Sequence, residues 1–266
     1  MINVREVLST IVGRDANKEV GLFLSGGIDS ASILFALMDA GKKVTAYSFT
    51  MDGVCSQDFL FARHLARKAG VQFVSVVLPR DYHVIVNDLK VLARKCGAIS
   101  KTDFECSWPF LHTYPKVTMP VVYSGMGADG HFCISKKGMI HFKDKPDVFR
   151  MGLYKNPRYA QVGIHNHMAA MHNTTHNTPF LTSEMRKIFL GTTWDQVNKP
   201  RQKQPIIDAC GKRIAWLKKV NKHINLQLGD SQIASHLAGL VKTKYNIRNH
   251  KSVVGVYNDI VANKIL

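Results

Sequence analysis

Cysteine is scarce in this sequence, and its few copies are scattered. The 266 residues contain 5 cysteines, an odd number, without any C-x-x-C pair. Disulfide frameworks and cysteine-ligated zinc sites need paired, regularly spaced cysteines, so the pattern argues against both and favours reduced thiols in a cytoplasm. The cysteines are Cys55, Cys96, Cys106, Cys133 and Cys210.

Long apolar runs are also missing. No run approaches the roughly 20 apolar residues that are needed to span a bilayer. The N-terminal stretch carries Arg5, Glu6, Arg14 and Asp15, which is unlike the apolar segment of a secretory signal. We therefore expect a cytoplasmic protein that is not inserted in a membrane.

Acidic residues are few relative to basic ones. The chain has 36 Lys+Arg against 19 Asp+Glu, a formal net charge of +17. Such an excess attracts polyanions, which include nucleotides, pyrophosphate and nucleic acid. The apolar content of 45% is ordinary for a globular protein, so a folded chain is expected.

What the sequence does contain is a regular alternation of strand and helix patterns. Four short apolar segments rich in β-branched and aromatic residues predict buried strands, with helical patterns between them. This alternation predicts an α/β fold with a parallel, doubly wound, Rossmann-like sheet and right-handed crossovers. The predicted strands are Val20–Leu24, Lys43–Phe49, Val71–Leu78 and Met119–Ser124, and the predicted helices are Ser30–Ala40, Gln57–Ala69 and Asp81–Cys96.

Strand signals stop after about Phe142. Beyond it we predict only helices, over Arg158–Met171, Thr182–Leu190, Gln204–Ile224 and Asp230–Leu240. The expected organisation is a nucleotide-binding α/β domain over residues 1–145 and a helical region over residues 146–266 that completes the active site.

The first predicted strand runs into the sequence SGGIDS and then into a helix. Gly26 and Gly27 let the backbone approach an anion, and the start of a helix presents unpaired N–H groups and the positive end of the helix dipole. Ser25 and Ser30 add hydroxyl donors, while Asp29 suits a bridging Mg²⁺ because a bare phosphate would repel it. No Walker A lysine is present. The pattern predicts a phosphate-binding loop, with a capped helix after a tight turn as the structural alternative.

The fourth predicted strand ends in a second glycine-rich turn, SGMGAD. Ser124 and Gly125 open this turn and Asp129 closes it. Ligands of open α/β sheets bind at the carboxyl ends of the strands, where both turns are expected. Asp29 and Asp129 together could therefore hold one or two Mg²⁺ ions that bridge the phosphates of ATP.

These motifs carry a family resemblance. SGGIDS resembles the loop of the PP-loop ATP pyrophosphatases, which cleave ATP between the α- and β-phosphates and leave an adenylated substrate. Later segments are similar, in order, to elements of the asparagine synthetase family (its synthetase domain). SGMGAD resembles its S-G-x-G-x-D turn, HMAAMHNTTHNTPFL its R-x-S-M-A-H-G-x-E-x-R-x-P-F-L element, and KPRQKQPIIDAC its G-x-x-K-x-x-L-R element. The resemblance covers about Glu19 to Cys210 and implies the adenine nucleotide alpha hydrolase-like form of the fold.

The resemblance also implies roles for individual residues. Lys203 matches a family lysine that stabilises charge on the departing pyrophosphate, with a solvated surface lysine as the alternative. In that family a carboxylate near Asp103 and Glu105 assists the attacking amine, so either is a candidate base, with an exposed loop acid just before a helix as the alternative. The residues implied to bind ATP are Leu24, Ser25, Gly26, Gly27, Asp29, Ser30, Phe49, Ser124 and Gly125, and those implied to hold Mg²⁺ are Asp29 and Asp129.

The implied activity is that of an ATP-dependent ligase that forms AMP and pyrophosphate. An acceptor carboxylate is adenylated, and an amine then displaces AMP to give an amide. These 266 residues hold no counterpart of the family's glutaminase domain, so we expect the amine to be free ammonia, another amine, or ammonia from a separate protein. The chain departs from the family at Met126, Gly130, Asn177 and Thr182, which we expect on the acceptor side, and the identity of the acceptor stays open.

Two other functions are open at this point. The first is a PP-loop enzyme that adenylates a base of tRNA or DNA, since residues 201–266 hold twelve Lys or Arg against three Asp. The second is a nucleotide-binding regulatory module without turnover, against which the presence of Asp29, Asp129 and Lys203 argues.

The histidine-rich segment after residue 164 is a weaker signal. His165, His172 and His176 would share one face of a helix, an arrangement that a metal site could use. A helix of the resembled family explains most of the segment without a metal.

Overall fold

The computed structural model describes residues 2–215, 232–244 and 253–262. Its centre is a five-stranded sheet in the order β3-β2-β1-β4-β5, in which every pairing is parallel. The predicted α/β class with a parallel, doubly wound sheet is confirmed. The strands are β1 Glu19–Phe23, β2 Lys43–Met51, β3 Gln72–Leu78, β4 Val121–Ser124 and β5 Thr175–Asn177.

Strand β1 lies in the middle of the sheet and is buried on both faces. It pairs with β2 from Glu19 opposite Lys43 and with β4 from Gly21 opposite Val122. All of its residues after Glu19 are buried, as expected for a central parallel strand. A side chain at Gly21 would begin 3.1 Å from the Val122 side chain, so glycine allows the close contact between β1 and β4.

Helices cover both faces of the sheet and extend beyond it. Their ends follow capping rules: Ser56 and Asp81 cap α3 and α4, which both end at a left-handed glycine. The helices are α1 Val4–Gly13, α2 Ile28–Asp39, α3 Gln57–Ala69, α4 Tyr82–Cys96, α5 Lys101–Thr113, α6 Asp129–Phe132, α7 Lys136–His141, α8 Pro146–Tyr154, α9 Val162–Met171, α10 Ser183–Phe189, α11 Trp194–Asn198, α12 Gln204–Cys210, α13 Ile233–Lys244 and α14 Val253–Val261.

The chain reverses its direction across the sheet between β3 and β4. Helices α2 and α3 connect β1 to β2 and β2 to β3, whereas α4 and α5 carry the chain back to β4 on the other side of β1. Helices α1, α2 and α12 pack together, and α4, α5 and α9 form a second group. The loops after β1 and β4 therefore lie at the topological switch point, where open α/β sheets bind ligands.

The second half of the chain differs from the prediction. Residues 175–177 form a fifth strand, β5, which pairs with β4 although no strand was predicted after Phe142. The helix predicted over Gln204–Ile224 ends at Cys210 and is followed by a 3-10 turn over Gly211–Ile214. Its predicted remainder, including the basic residues 218–222, lies outside the described residues.

Both halves of the chain contribute to one core. Val4 and Leu22 from the first half share a hydrophobic cluster with Phe180, Met185 and Ile206 from the second. Among the helices in the described ranges, none has the length and apolar character that crossing a membrane requires.

A neutral histidine is part of this core. His131 is fully buried and its ring stacks on Phe189 with centroids 4.4 Å apart. Its Nε2 lies 2.7 Å from the Phe180 carbonyl oxygen, so this nitrogen carries the proton, and Nδ1 accepts from the Tyr154 hydroxyl at 2.5 Å. Burial lowers the pKa of His131 to about 3.

We predict that this histidine makes stability depend on pH. Below pH 6.5 the unfolded chain takes up a proton on His131 that the folded chain takes up only near pH 3, so stability is lost as the pH falls. Between pH 7 and pH 5 the loss is about 2 kcal/mol for one such histidine. Urea unfolding of His131→Gln should show a smaller loss over this interval than the wild type by about that amount.

The exposed His167 provides the matched control. His167→Gln should retain the wild-type change in unfolding free energy between the two pH values. Equal changes in the His131 variant and the wild type would contradict the assignment of His131 as a buried neutral group.

Candidate functional site

The first glycine-rich loop joins β1 to α2 and is shaped by its own hydroxyl groups. The Ser25 amide donates to Ser30 Oγ at 3.1 Å, and Ser30 Oγ donates to the Gly27 carbonyl at 3.1 Å. Ser25 Oγ accepts from the Gly27 amide at 3.2 Å. Both hydroxyls, predicted as donors to an anion, are thus turned towards the loop itself. Gly27 is the N-cap of α2 and brings no side chain to the first amides of the helix.

Glycines allow this loop to fit between its neighbours. A Cβ at Gly26 would lie 3.0 Å from the backbone of Asp58 and from the Cβ of Phe61, at the start of α3. A Cβ at Gly125 would lie 2.9 Å from the amide nitrogen of Ser30 and 3.0 Å from Asp29. The two glycine-rich loops therefore touch, and the predicted meeting of the turns after β1 and β4 is found.

A histidine forms a hydrogen bond with the first residue of the second loop. Ser124 Oγ lies 2.8 Å from Nε2 of His176, which comes from β5. Burial lowers the pKa of His176 to about 4, so the ring is neutral near pH 7. No sequence pattern indicates this contact, because the polar residues of β5 do not predict a strand.

Lys203 joins the two loops. Its Nζ lies 2.6 Å from Oδ2 of Asp29 and 2.5 Å from Oδ1 of Asp129. The three residues come from the starts of α2, α6 and α12, and Lys203 is buried. The alternative of a solvated surface lysine is therefore excluded. We call these residues the Asp–Lys–Asp cluster.

The environment of the lysine maintains its charge. Burial acts to lower the pKa of Lys203, but the two carboxylates outweigh burial and raise it above its ordinary value. The Lys203 backbone is left-handed, with φ 61°, and its amide donates to Oδ1 of Asn198 at 3.3 Å. A non-glycine residue in this conformation is strained, and such strain is concentrated at functional positions.

The carboxylates of the cluster have the chemistry of a magnesium site. Asp29 and Asp129 place oxygen atoms close enough for a single Nζ to bond both, and Mg²⁺ prefers one or two carboxylates completed by phosphate oxygens and water. The donor set therefore fits the predicted ion. Within the described ranges, no group of three or more histidines, cysteines or carboxylates is arranged to hold a metal.

The two candidate bases lie elsewhere than predicted. Asp103 and Glu105 are inside helix α5, not before it, and both are buried, so neither is an exposed loop acid. Asp103 forms a capping box with Ser100 and pairs with Arg158 at 2.5 Å. Glu105 lies 3.5 Å from Lys101, and burial raises its pKa. These contacts do not include the Asp–Lys–Asp cluster.

The two apolar residues implied for ATP binding differ in exposure. Leu24 is buried in the core, and its amide donates to the Tyr47 carbonyl at 2.9 Å, so only its backbone borders the loop. Phe49 is half-buried near the end of β2, with its ring centroid 5.5 Å from that of Phe110.

The departures from the family pattern fall in two places. Met126 lies in the second loop, and Gly130 follows Asp129 in helix α6. Asn177 and Thr182 instead line a cleft of about 460 Å³ with Asp15 and Tyr123, beside α1. The four residues therefore do not line one cleft, and their place on the acceptor side stays a prediction.

The histidines do not share one helical face. His165 lies in α9, His172 follows that helix, and His176 lies in β5. The rings of His165 and His176 are nevertheless neighbours, with centroids 5.0 Å apart.

Comparison with known proteins identifies the family of this chain. A sequence model described as asparagine synthase matches residues 3–204. The Microcin J25-processing protein McjC of Escherichia coli is 40% identical over 60 residues, which are 23% of this chain and 12% of that protein. The chain therefore matches only a small part of this relative's length.

A solved structure is similar at lower identity. The U34-tRNA thiolase NcsA from Methanococcus maripaludis, with its 4Fe-4S cluster, aligns over 97% of this chain and 75% of that chain, at 13% identity and a TM-score of 0.38. This likeness is too weak to inform the site. The family match spans most of the chain and includes both glycine-rich loops and Lys203, and this chain therefore belongs to the asparagine synthase family.

Proposed function

We propose that this protein is an ATP-dependent carbon–nitrogen ligase that forms AMP and pyrophosphate. The observation that carries the proposal is the Asp–Lys–Asp cluster at the start of α2, where Lys203 bonds both Asp29 and Asp129. An oxygen of the acceptor carboxylate attacks the α-phosphorus of ATP, and pyrophosphate leaves. An amine then attacks the acyl carbon, loses a proton, and displaces AMP to give the amide.

The first loop and α2 supply the binding site for the phosphates. The Gly27 cap leaves the start of α2 open to an anion, and the helix dipole favours negative charge there. The contact of the two loops at Gly125 places this helix start beside the second loop. Ser25 and Ser30 accept hydrogen bonds from the Gly27 and Ser25 amides, so the loop has its shape before the nucleotide binds.

Asp29 and Asp129 would hold Mg²⁺ between them. When bound, the ion neutralises phosphate charge and orients the β- and γ-phosphates for departure. Both carboxylates are now bonded to Lys203, and they would exchange this partner for the ion.

Lys203 would then stabilise the leaving group. Its buried ammonium is next to the phosphate-binding helix start, and charge grows on the pyrophosphate as the bond to the α-phosphorus breaks. A cation fixed at that position stabilises the transition state more than the ground state.

For the proton of the amine, we favour Glu105 over Asp103. Oδ2 of Asp103 accepts hydrogen bonds from Arg158 and from the Ser100 amide, so this oxygen is already occupied by partners within the protein. Burial raises the pKa of Glu105 and so brings it closer to the range of an effective proton acceptor.

The net charge of +17 supports a second candidate function, the adenylation of a nucleic acid base. Both reactions release AMP and pyrophosphate, so the acceptor distinguishes them. Pyrophosphate release that depends on added tRNA or DNA, and that weakens steeply with salt, would favour the second function.

We predict that the spent nucleotide is AMP and that the reaction requires Mg²⁺. A screen of carboxylate acceptors with ammonia, read by pyrophosphate release and by chromatography of the nucleotide, checks both points. EDTA should abolish release and added Mg²⁺ should restore it. Accumulation of ADP and phosphate instead of AMP and pyrophosphate would contradict the proposal.

We also predict that Lys203→Met lowers kcat by about 10²- to 10³-fold while changing KM for ATP much less, because the lost charge acts mainly on the transition state. Methionine keeps the length of the side chain. The exposed Lys212 is the matched control, and Lys212→Met should retain wild-type kcat. A folded Lys203→Met protein with unchanged kcat would remove Lys203 from the mechanism.

A further inference from the structure

Tyr159 contacts both ends of the turn that carries Asp129. Its hydroxyl donates to the carbonyl oxygen of Gly127 at 3.0 Å. The same oxygen lies against Gly130, where a Cβ would come within 2.2 Å of it. One phenol group therefore closes the segment Gly127–Gly130, in which Asp129 is the third residue.

This contact exists only because position 130 has no side chain. A Cβ on Gly130 would lie 2.2 Å from the Tyr159 hydroxyl oxygen and 2.9 Å from Leu153 Cδ1. Gly127 is also required, since its φ is +85° and a Cβ there would lie 2.2 Å from Leu181 Cδ2. The Tyr159 hydroxyl thus occupies the space that a side chain at position 130 would need.

The backbone directly after Tyr159 is strained, and the residue before Tyr159 is held by hydrogen bonds. Ala160 and Gln161 follow directly and both have left-handed backbones, with φ 56° and 53°. Arg158 donates to Oδ2 of Asp103 at 2.5 Å and to the Gly97 carbonyl at 3.3 Å. Two adjacent non-glycine residues in this conformation are costly, and they persist here between contacts on both sides.

The hydroxyl group is suited to remain a donor. Burial, together with the negative charge of Asp129, raises the pKa of Tyr159, so the phenol stays protonated at neutral pH. Because it is neutral, it can lie beside Asp129 without repelling the carboxylate.

We propose that Tyr159 is a positioning residue for Asp129, and that by closing the Gly127–Gly130 turn it sets the affinity of the site for the divalent ion of the nucleotide complex. The proposal rests on the proposed function, since it takes Asp129 as a ligand of that ion. Tyr159 acts through the backbone on either side of Asp129 and not by contact with the reacting atoms.

The test is a titration of the full-length protein with Mn²⁺ in the presence of α,β-methylene ATP, which cannot be cleaved between the α- and β-phosphates. Free Mn²⁺ is followed by electron paramagnetic resonance. Tyr159→Phe keeps the ring and removes the hydrogen bond to Gly127. We expect the Kd for Mn²⁺ to rise about fivefold, as for the loss of one hydrogen bond.

A second variant tests the contact between Tyr159 and Gly130 by changing the glycine. Gly130→Ala should displace the ring and weaken Mn²⁺ binding at least as much. The double variant Gly130→Ala/Tyr159→Phe lacks the hydroxyl oxygen that would clash most closely with the new Cβ. The free-energy losses of the two single variants should therefore not add, and the Kd of the double variant for Mn²⁺ should be lower than their sum predicts. The matched control is Tyr123→Phe, which loses a hydroxyl bonded to Asp15 at 2.6 Å and should bind Mn²⁺ like the wild type.

The outcomes separate this proposal from the proposed function. Wild-type protein that binds no Mn²⁺ with the analogue would overturn both. Wild-type binding with an unchanged Kd in Tyr159→Phe would overturn the role of Tyr159 alone, and a lowered melting temperature in that variant without a change in Kd would make the residue merely structural.

Discussion

The ion pairs of Lys203 with Asp29 and Asp129 are the constraint on which the rest of the site depends. Moving an ammonium group out of water is costly unless carboxylates compensate it at close range. Here two carboxylates compensate the ammonium charge. The three residues lie at helix starts that are far apart in the sequence, and Lys203 follows Asp29 by 174 residues. The β1–α2 loop, the β4–α6 loop and the segment before α12 must therefore all converge on one Nζ atom.

Much of the local geometry follows from this convergence. The loops can approach because Gly125 has no Cβ to meet Asp29, and the β4 loop turns sharply because Gly127 is left-handed. Ser124 is held by His176 from β5, so the fifth strand supports the site although it contributes no group to the cluster. The buried, paired cation and the open helix start both support the proposed binding of an anion that brings its own divalent ion.

Local patterns were sufficient to predict the parts of this architecture that local chemistry determines. The apolar segment before SGGIDS and the glycines within it identified β1, the loop and α2 to within a few residues. Strand β5 was missed because Thr175, His176 and Asn177 are three polar residues, and only their pairing with β4 makes them a strand. The candidate bases Asp103 and Glu105 were placed just before a helix instead of inside it, because a charged helix start resembles a loop in sequence.

Contacts between distant segments could not be predicted in this way. The approach of Tyr159 to Gly130 depends on two segments that share no pattern, and the glycine at 130 was visible only as a departure from the family. The role of Lys203 at the leaving pyrophosphate stays a prediction, and its ion pairs with two carboxylates were not predicted from the sequence. The sequence indicated which groups are present, and the fold determines which of them neutralise one another.

A crystal structure with Mn²⁺ and α,β-methylene ATP would test the central claim most directly. Our account predicts an anomalous Mn²⁺ peak between Asp29 and Asp129, the β- and γ-phosphates at the start of α2, and Lys203 Nζ moved from the carboxylates to a phosphate oxygen. A nucleotide bound elsewhere, with Lys203 still bonded to both carboxylates and no Mn²⁺ at the cluster, would contradict it.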